Sequence, residues 1–251
     1  MGLSGTVDEP VPARLEQTLE FQFGEHFEVF SATQRDHTRS ITLVGSYTEG
    51  DWTVTLKSGI ISFGVFFQPT GLSRLFRIPP AEFSNRAFNA LDVGSYGLSE
   101  LYHQLAACPS FPARVAVMET FLLALAARVP ARQVDLAYDA AARIFEANGA
   151  VRLRDFAEEY GLSIRQLERR LIRAIGIPPK TYARVARFQT ALDRKLMTPY
   201  LSWMSIAHDL GYHDQMHMVH DFHELAGAAP SEILATIGDA RPPAMQNFSE
   251  F

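Results

Sequence analysis

Cys108 is the single cysteine in a chain of 251 residues, so no disulfide can close within it, and a reducing compartment fits. No run of 18 apolar residues occurs, which leaves nothing long enough to read as a spanning helix. Met1 to Pro12 lacks the basic-then-apolar order of a secretory signal, although Met1-Gly2 with Thr6 meets the permissive myristoylation pattern. These features point to a cytoplasmic protein with no membrane partner. Strings that carry chemistry are also missing. There is no GxSxG, no phosphate-binding loop, no GxGxxG and no paired-histidine strand of a metal cupin. Neither an enzyme nor a cofactor is expected. Cationic excess is lacking too. The net charge is −5, which taken alone argues against nucleic acid, so the distribution of charge must decide.

What is present is an ordinary globular composition, 47% hydrophobic and 20% charged, enough to bury one large core or two modest ones. Runs rich in aromatic and β-branched residues predict strands at Glu20–Phe23, Phe27–Phe30, Ile41–Val44, Trp52–Leu56 and Ile60–Phe67. Gly24-Glu25, Glu49-Gly50-Asp51 and Lys57-Ser58-Gly59 punctuate them as turns. Ser99–Ala107 and Pro112–Arg128 read as helices, the second with a stripe of Val115, Met118, Phe121, Leu122 and Leu125. Phe63, Phe66, Phe67, Phe76 and Phe83 are expected in a core. Arg74, Arg77 and Arg86 suit an anion or plain solvent equally.

Val129 to Asp135 reads as a linker, and beyond it the chain is helical and repeats itself. Phe156-Ala157-Glu158-Glu159-Tyr160-Gly161-Leu162 returns as Ile206-Ala207-His208-Asp209-Leu210-Gly211-Tyr212. After one inserted residue, Leu167 matches Met218, Leu171 matches Phe222, Gly176 matches Gly227 and Pro179 matches Pro230. Each copy carries a short helix, a glycine for a tight turn, a capping residue and a second helix. Ser163 with Gln166 forms a capping box in the first copy, and Asp214 caps the second. Two helix-turn-helix units, 153–175 and 203–226, are joined by a helix over Pro179–Leu196. At 1.5 Å per residue that joining helix is roughly 27 Å long, compatible with a separation of roughly 34 Å between neighbouring major-groove segments.

The charge is concentrated there. Between Gly161 and Leu196 nine Lys and Arg face only Glu168 and Asp193, a net +7 within a −5 chain. Arg165, Arg169, Arg170 and Arg173 share the outward side of the second helix, and Arg184, Arg187 and Arg194 form a stripe along the joining helix. Arginine can fork onto guanine or onto phosphate, so these residues predict a DNA-facing surface. The competing reading is a small-molecule binder or enzyme whose helical part docks to protein, which has no need of such a face.

The string GYHDQMHMVHDF, Gly211 to Phe222, followed by Gly227 and Pro230-Ser231, resembles the second-unit signature of AraC/XylS-family bacterial transcription regulators. The resemblance spans roughly Val134 to Ile237. Phe63 to Ala87 is similar to a stretch in N-terminal domains attached to that family. The implied fold is α+β: a β-rich N-terminal domain with helices (1–132) that senses or dimerises, an all-α DNA-binding domain (133–240), and a tail (241–251). The resemblance implies double-stranded DNA as partner, and leaves open RNA polymerase, a small-molecule effector at the N-terminal domain and a second copy of the chain. Mapped by position, base contacts fall to Arg165, Glu168 and Arg169 in the first unit, and to Gln215, Met216, His217 and His220 in the second. Ser163, Gln166, Arg170, Arg173, Arg184, Arg187 and Asp214 complete the expected DNA-binding set.

The second unit departs from the pattern. From Met197 to Ala240 there is no Lys or Arg against six acids, and five histidines (208, 213, 217, 220, 223) lie within sixteen residues. His220 stands where the family usually has arginine. Three readings stay open: surface histidines without a special role, histidines replacing basic contacts and titrating near neutrality, or a metal site from His213, His217 and His220. His223-Glu224 starts a metalloprotease string that Gly227 interrupts.

Overall fold

The computed structural model describes residues 6–26, 28–31, 35–94, 96–129 and 136–237. The expected linker beyond Val129 and the tail lie outside them. The first half builds two antiparallel four-stranded sheets from β1 (Val7–Val11), β2 (Gln17–Gln22), β3 (Glu28–Phe30), β4 (Arg35–His37), β5 (Ile41–Val44), β6 (Trp52–Leu56), β7 (Ser62–Phe67) and β8 (Ala87–Asn89). One sheet runs β1-β6-β3-β4 and the other β7-β2-β5-β8. In the second sheet Leu19 pairs with Leu43 and Val65, and Phe21 with Ile41 and Phe63. Alternation then puts Leu19 and Phe21 on one face. That face is covered by α1 (Gly71–Phe76), α2 (Leu98–Ala107) and α3 (Phe111–Ala126).

The expected aromatics fill this core. Phe63, Phe67, Phe76 and Phe83 are buried and Phe66 is half-buried. Arg74, Arg77 and Arg86 are exposed, with Arg77 donating to the Arg128 carbonyl. Helix α3 begins on a Ser110 cap with Pro112 in its first turn, and it buries Met118 and Leu125. Cys108 is half-buried, its thiol 3.3 Å from the Gln104 carbonyl.

The second half is α4 (Leu136–Glu146), α5 (Leu153–Glu159), α6 (Ile164–Ile175), α7 (Pro179–Met197), α8 (Trp203–Asp209), α9 (Gln215–Ala226) and α10 (Pro230–Ile237). Apolar residues three and four apart on each helix meet in one core, including Ile144, Phe156, Leu167, Leu171, Val185, Phe188, Leu192 and Phe222. Phe222 stands edge-on to Phe188, with centroids 4.8 Å apart, and to Trp203 at 5.3 Å. Burying such a ring stabilises by roughly 1.5–3 kcal/mol.

The same core takes in Ala13 and Leu15 from the segment before β2. The Leu15 N–H donates to the Gln189 side chain on α7, whose amide in turn donates to the Glu16 carboxylate. Residues 13–16 therefore pack with the helical half. The split at residue 132 drawn from the sequence leaves them on the other side.

Candidate nucleic-acid interface

In the first unit α5 turns into α6 at Gly161, whose φ of +61° is open to glycine without a Cβ clash. Helix α6 opens on the full capping box, with Ser163 and Gln166 each bonding the other's main chain. The cap satisfies two otherwise orphaned groups and contributes about 1 kcal/mol. Leu167, Leu171 and Ile175 are buried on one side. Turned outward are Arg165, Gln166, Arg169, Arg170 and Arg173, all exposed, with Glu168 half-buried among them. Four guanidinium groups thus stand on one face of a twelve-residue helix, an arrangement suited to a polyanion.

The second unit repeats the geometry with different side chains. Gly211 turns the chain at φ +68°. The Asp214 carboxylate accepts the His217 N–H at 2.7 Å as the cap of α9. That bond, and then His213 beside it, holds the Asp214 carboxyl below its usual range. Gln215, Met216, His217 and His220 are exposed, as are His208, His213 and His223. Met216 is 71% exposed, a large apolar side chain left in water beside a cap. His220 lies 3.5 Å from Glu224, and the His217 ring stands edge-on to Tyr212. Among the described residues no three or more His, Cys, Asp or Glu are placed to share a metal ion.

The stripe on α7 does not face solvent as a row of free cations. Arg184 Nε is 2.8 Å from Asp221 Oδ1, and the same guanidinium binds Glu224. Arg187 lies over the Tyr212 ring at 5.3 Å and donates to the Gly149 carbonyl at 3.4 Å. Arg194 is 3.8 Å from Asp209. These three arginines join α7 to its neighbours. Asp221, one of the six acids between Met197 and Ala240, has a side chain only 2% exposed. Its place between Met218 and Phe222, on the buried side of α9, was readable from their three- and four-residue spacing.

Residues 156–236 match a family model for a helix-turn-helix domain, one of the AraC type. No curated protein matches the chain in sequence. Among solved structures, ToxT from Vibrio cholerae (P21 form) is similar at a TM-score of 0.53 and 12% identity, covering 95% of this chain and 96% of that one. ToxT of Vibrio cholerae O395 gives 0.51 at 14%, covering 95% and 96%. Unsaturated fatty acid-bound ToxT of strain SCE256 gives 0.52 at 8%, covering 96% and 99%. At these identities the likeness is one of fold, a β-rich half followed by a helical one, and it runs through both halves.

Proposed function

We propose that this chain, with its AraC-type helix-turn-helix region, is a sequence-specific DNA-binding transcription regulator that sets α6 and α9 into successive major-groove segments. The observation that carries the reading is the pair of units in one register, each offering an uncovered, capped helix joined by the single helix α7. At 19 residues, α7 is roughly 28 Å long, in keeping with neighbouring groove segments. In this reading Arg165, Glu168 and Arg169 meet base edges, while Arg170 and Arg173 meet phosphates. Ser163, Gln166 and Asp214 hold the two helix starts, and Arg184 and Arg187 serve as anchors of the second unit.

The N-terminal half is the regulatory half in this proposal. ToxT has been crystallised with an unsaturated fatty acid and with (E)-4-(8-methylnaphthalen-1-yl)but-3-enoic acid, and a small-molecule effector is proposed here too. A groove of about 550 Å³ between α2 and α3, lined by Leu101, Val117, Phe121 and Arg128, has the size of a small-ligand site. The test of the function is selection of duplexes from random-sequence DNA by the purified chain. The expected product is a bipartite motif with its halves about one helical turn apart. Recovery of no motif, at low salt as well as high, refutes the reading.

The second unit adds a prediction about where its contacts lie. Helix α9 carries no Lys or Arg, so contact with the duplex falls to the exposed Gln215, Met216, His217 and His220. A His217→Gln/His220→Gln variant is expected to lose affinity for the selected duplex and to bind random DNA nearly as before, measured at constant pH and ionic strength. Unchanged affinity for both makes these histidines bystanders.

A further inference from the structure

The two recognition helices end against the N-terminal half, which bonds their terminal carbonyls. An α-helix leaves its last four carbonyls without partners of its own. On α9, Gly227 N–H takes the His223 carbonyl, Gly50 N–H takes that of Glu224 at 3.1 Å, and Ala13 N–H takes that of Leu225 at 2.6 Å. At the end of α6, Ser84 Oγ donates to the Gly176 carbonyl at 3.0 Å, and Ser73 Oγ lies 3.4 Å from that of Ala174. Gln189, buried in the middle of α7, is held by Leu15 and Glu16. Both units and the helix between them are thus gripped by one body.

The approach is as close as the backbone allows. A Cβ on Gly50 would stand 2.2 Å from the Ala226 nitrogen, and one on Gly176 would stand 2.5 Å from the Pro80 carbonyl oxygen. Gly50 has no left-handed φ, so glycine is required there by contact alone. The grip is on the far ends of α6 and α9. Arg165, Arg169, Gln215 and His217, at the near ends, stay exposed.

From this we infer that Gly50, with Ala13 and Ser84, positions the second recognition helix relative to the first, and that the docked N-terminal half is a brace that favours two-segment binding. The inference rests on the two-segment reading above. Two binding elements that are held at the right separation engage one duplex cooperatively, because the second contact costs less ordering once the first is made. A brace across both helices supplies that order before DNA arrives. An inhibitory clamp would be expected to cover the near ends, which are open.

The experiment uses the full chain and Gly50→Ala, with Ser84→Ala as a second variant that removes one hydrogen bond and adds no bulk. The probes are a duplex selected by the native chain and the same duplex with the segment read by the second unit scrambled. Gly50→Ala is expected to weaken binding to the intact duplex by about tenfold or more, the kind of gain that linkage supplies. It should bind the scrambled duplex as the native chain does. Ser84→Ala is expected to shift in the same direction by less. Amide exchange checks the joint directly, since the amides of position 50 and of Ala13 should lose the protection they have in the native chain when Gly50→Ala is introduced. If Gly50→Ala does not fold, the split between the two duplexes is read from Ser84→Ala alone. Tighter binding by either variant marks the contact as inhibitory and overturns the proposal, as does an equal loss on both duplexes. A native chain that distinguishes no second segment refutes the two-segment reading itself, a separate outcome.

Discussion

Arg184→Ala is expected to cost about 3 kcal/mol, the lower end of the penalty for leaving a buried charge without its partner, because Arg184 itself is still partly in water. Its loss strands the Asp221 carboxylate, whose side chain is 2% exposed and whose Oδ2 already lacks a hydrogen-bond partner, as does the Tyr212 hydroxyl. For a chain of this size the melting temperature should fall by roughly 6–12 °C. Replacing both partners with apolar residues of similar volume, Arg184→Met with Asp221→Leu, should recover most of the loss, since neither charge is then left buried. A double variant as unstable as Arg184→Ala would show that shape, not charge, decides the site. Arg184 also holds the Glu224 carboxyl below its usual value by direct hydrogen bonding. A depressed carboxyl contributes stability that is complete above its unfolded value, near 4.5, and that is lost as pH falls through the lowered folded value. The native chain should therefore lose this contribution only in acid, and Arg184→Ala should lack it at neutral pH as well.

Removing Arg169 should cost specificity and leave the fold unchanged. The side chain is exposed on α6, so its removal leaves no cavity and strands no charge. Arg169→Ala is expected to lose about 1–3 kcal/mol of discrimination at one base position, with random DNA bound nearly as before. Arg165→Ala should do the same at a neighbouring position. Arg170→Ala and Arg173→Ala should instead weaken all sequences alike and lower the salt slope by about one each. The measurement is affinity against salt for selected and random duplexes, with thermal unfolding as a control. Uniform losses from all four substitutions would mean that α6 lies along the backbone and reads no bases.

How much of this was legible in the sequence depends on the range of the forces involved. Helices α6, α7 and α9 were bounded to within a residue because their ends are written locally, in the Ser163–Gln166 box, the Pro179 start and the Asp214 cap. β5 and β6 were found where expected. Strands β1, β4 and β8 were missed. Two of them have three residues, β4 reads Arg-Asp-His, and β1 carries Pro10. Their pairing comes from neighbours far away in sequence, not from their own pattern. The inward turn of Arg184 was hidden for a like reason, since its partner Asp221 lies 37 residues on. The placing of Ala13 and Leu15 in the helical core had no local sign either. A residue's period tells which side of its element is buried, but not which distant element buries it.

That last packing has a consequence for the order of events during synthesis. Ala13 and Leu15 leave the ribosome well before the helical half, yet they share a core with Phe222 and Ile233. At roughly 5–20 residues per second, the helical half arrives about 10–40 s later. Through that interval the segment before β2 has the isolated Arg14–Tyr47 bridge to form, but only part of its burial. Ala13 and Leu15 are thus sealed only once the helical half has formed. A pause in translation after α3 would lengthen their exposure and the opening for aggregation or proteolysis at that segment.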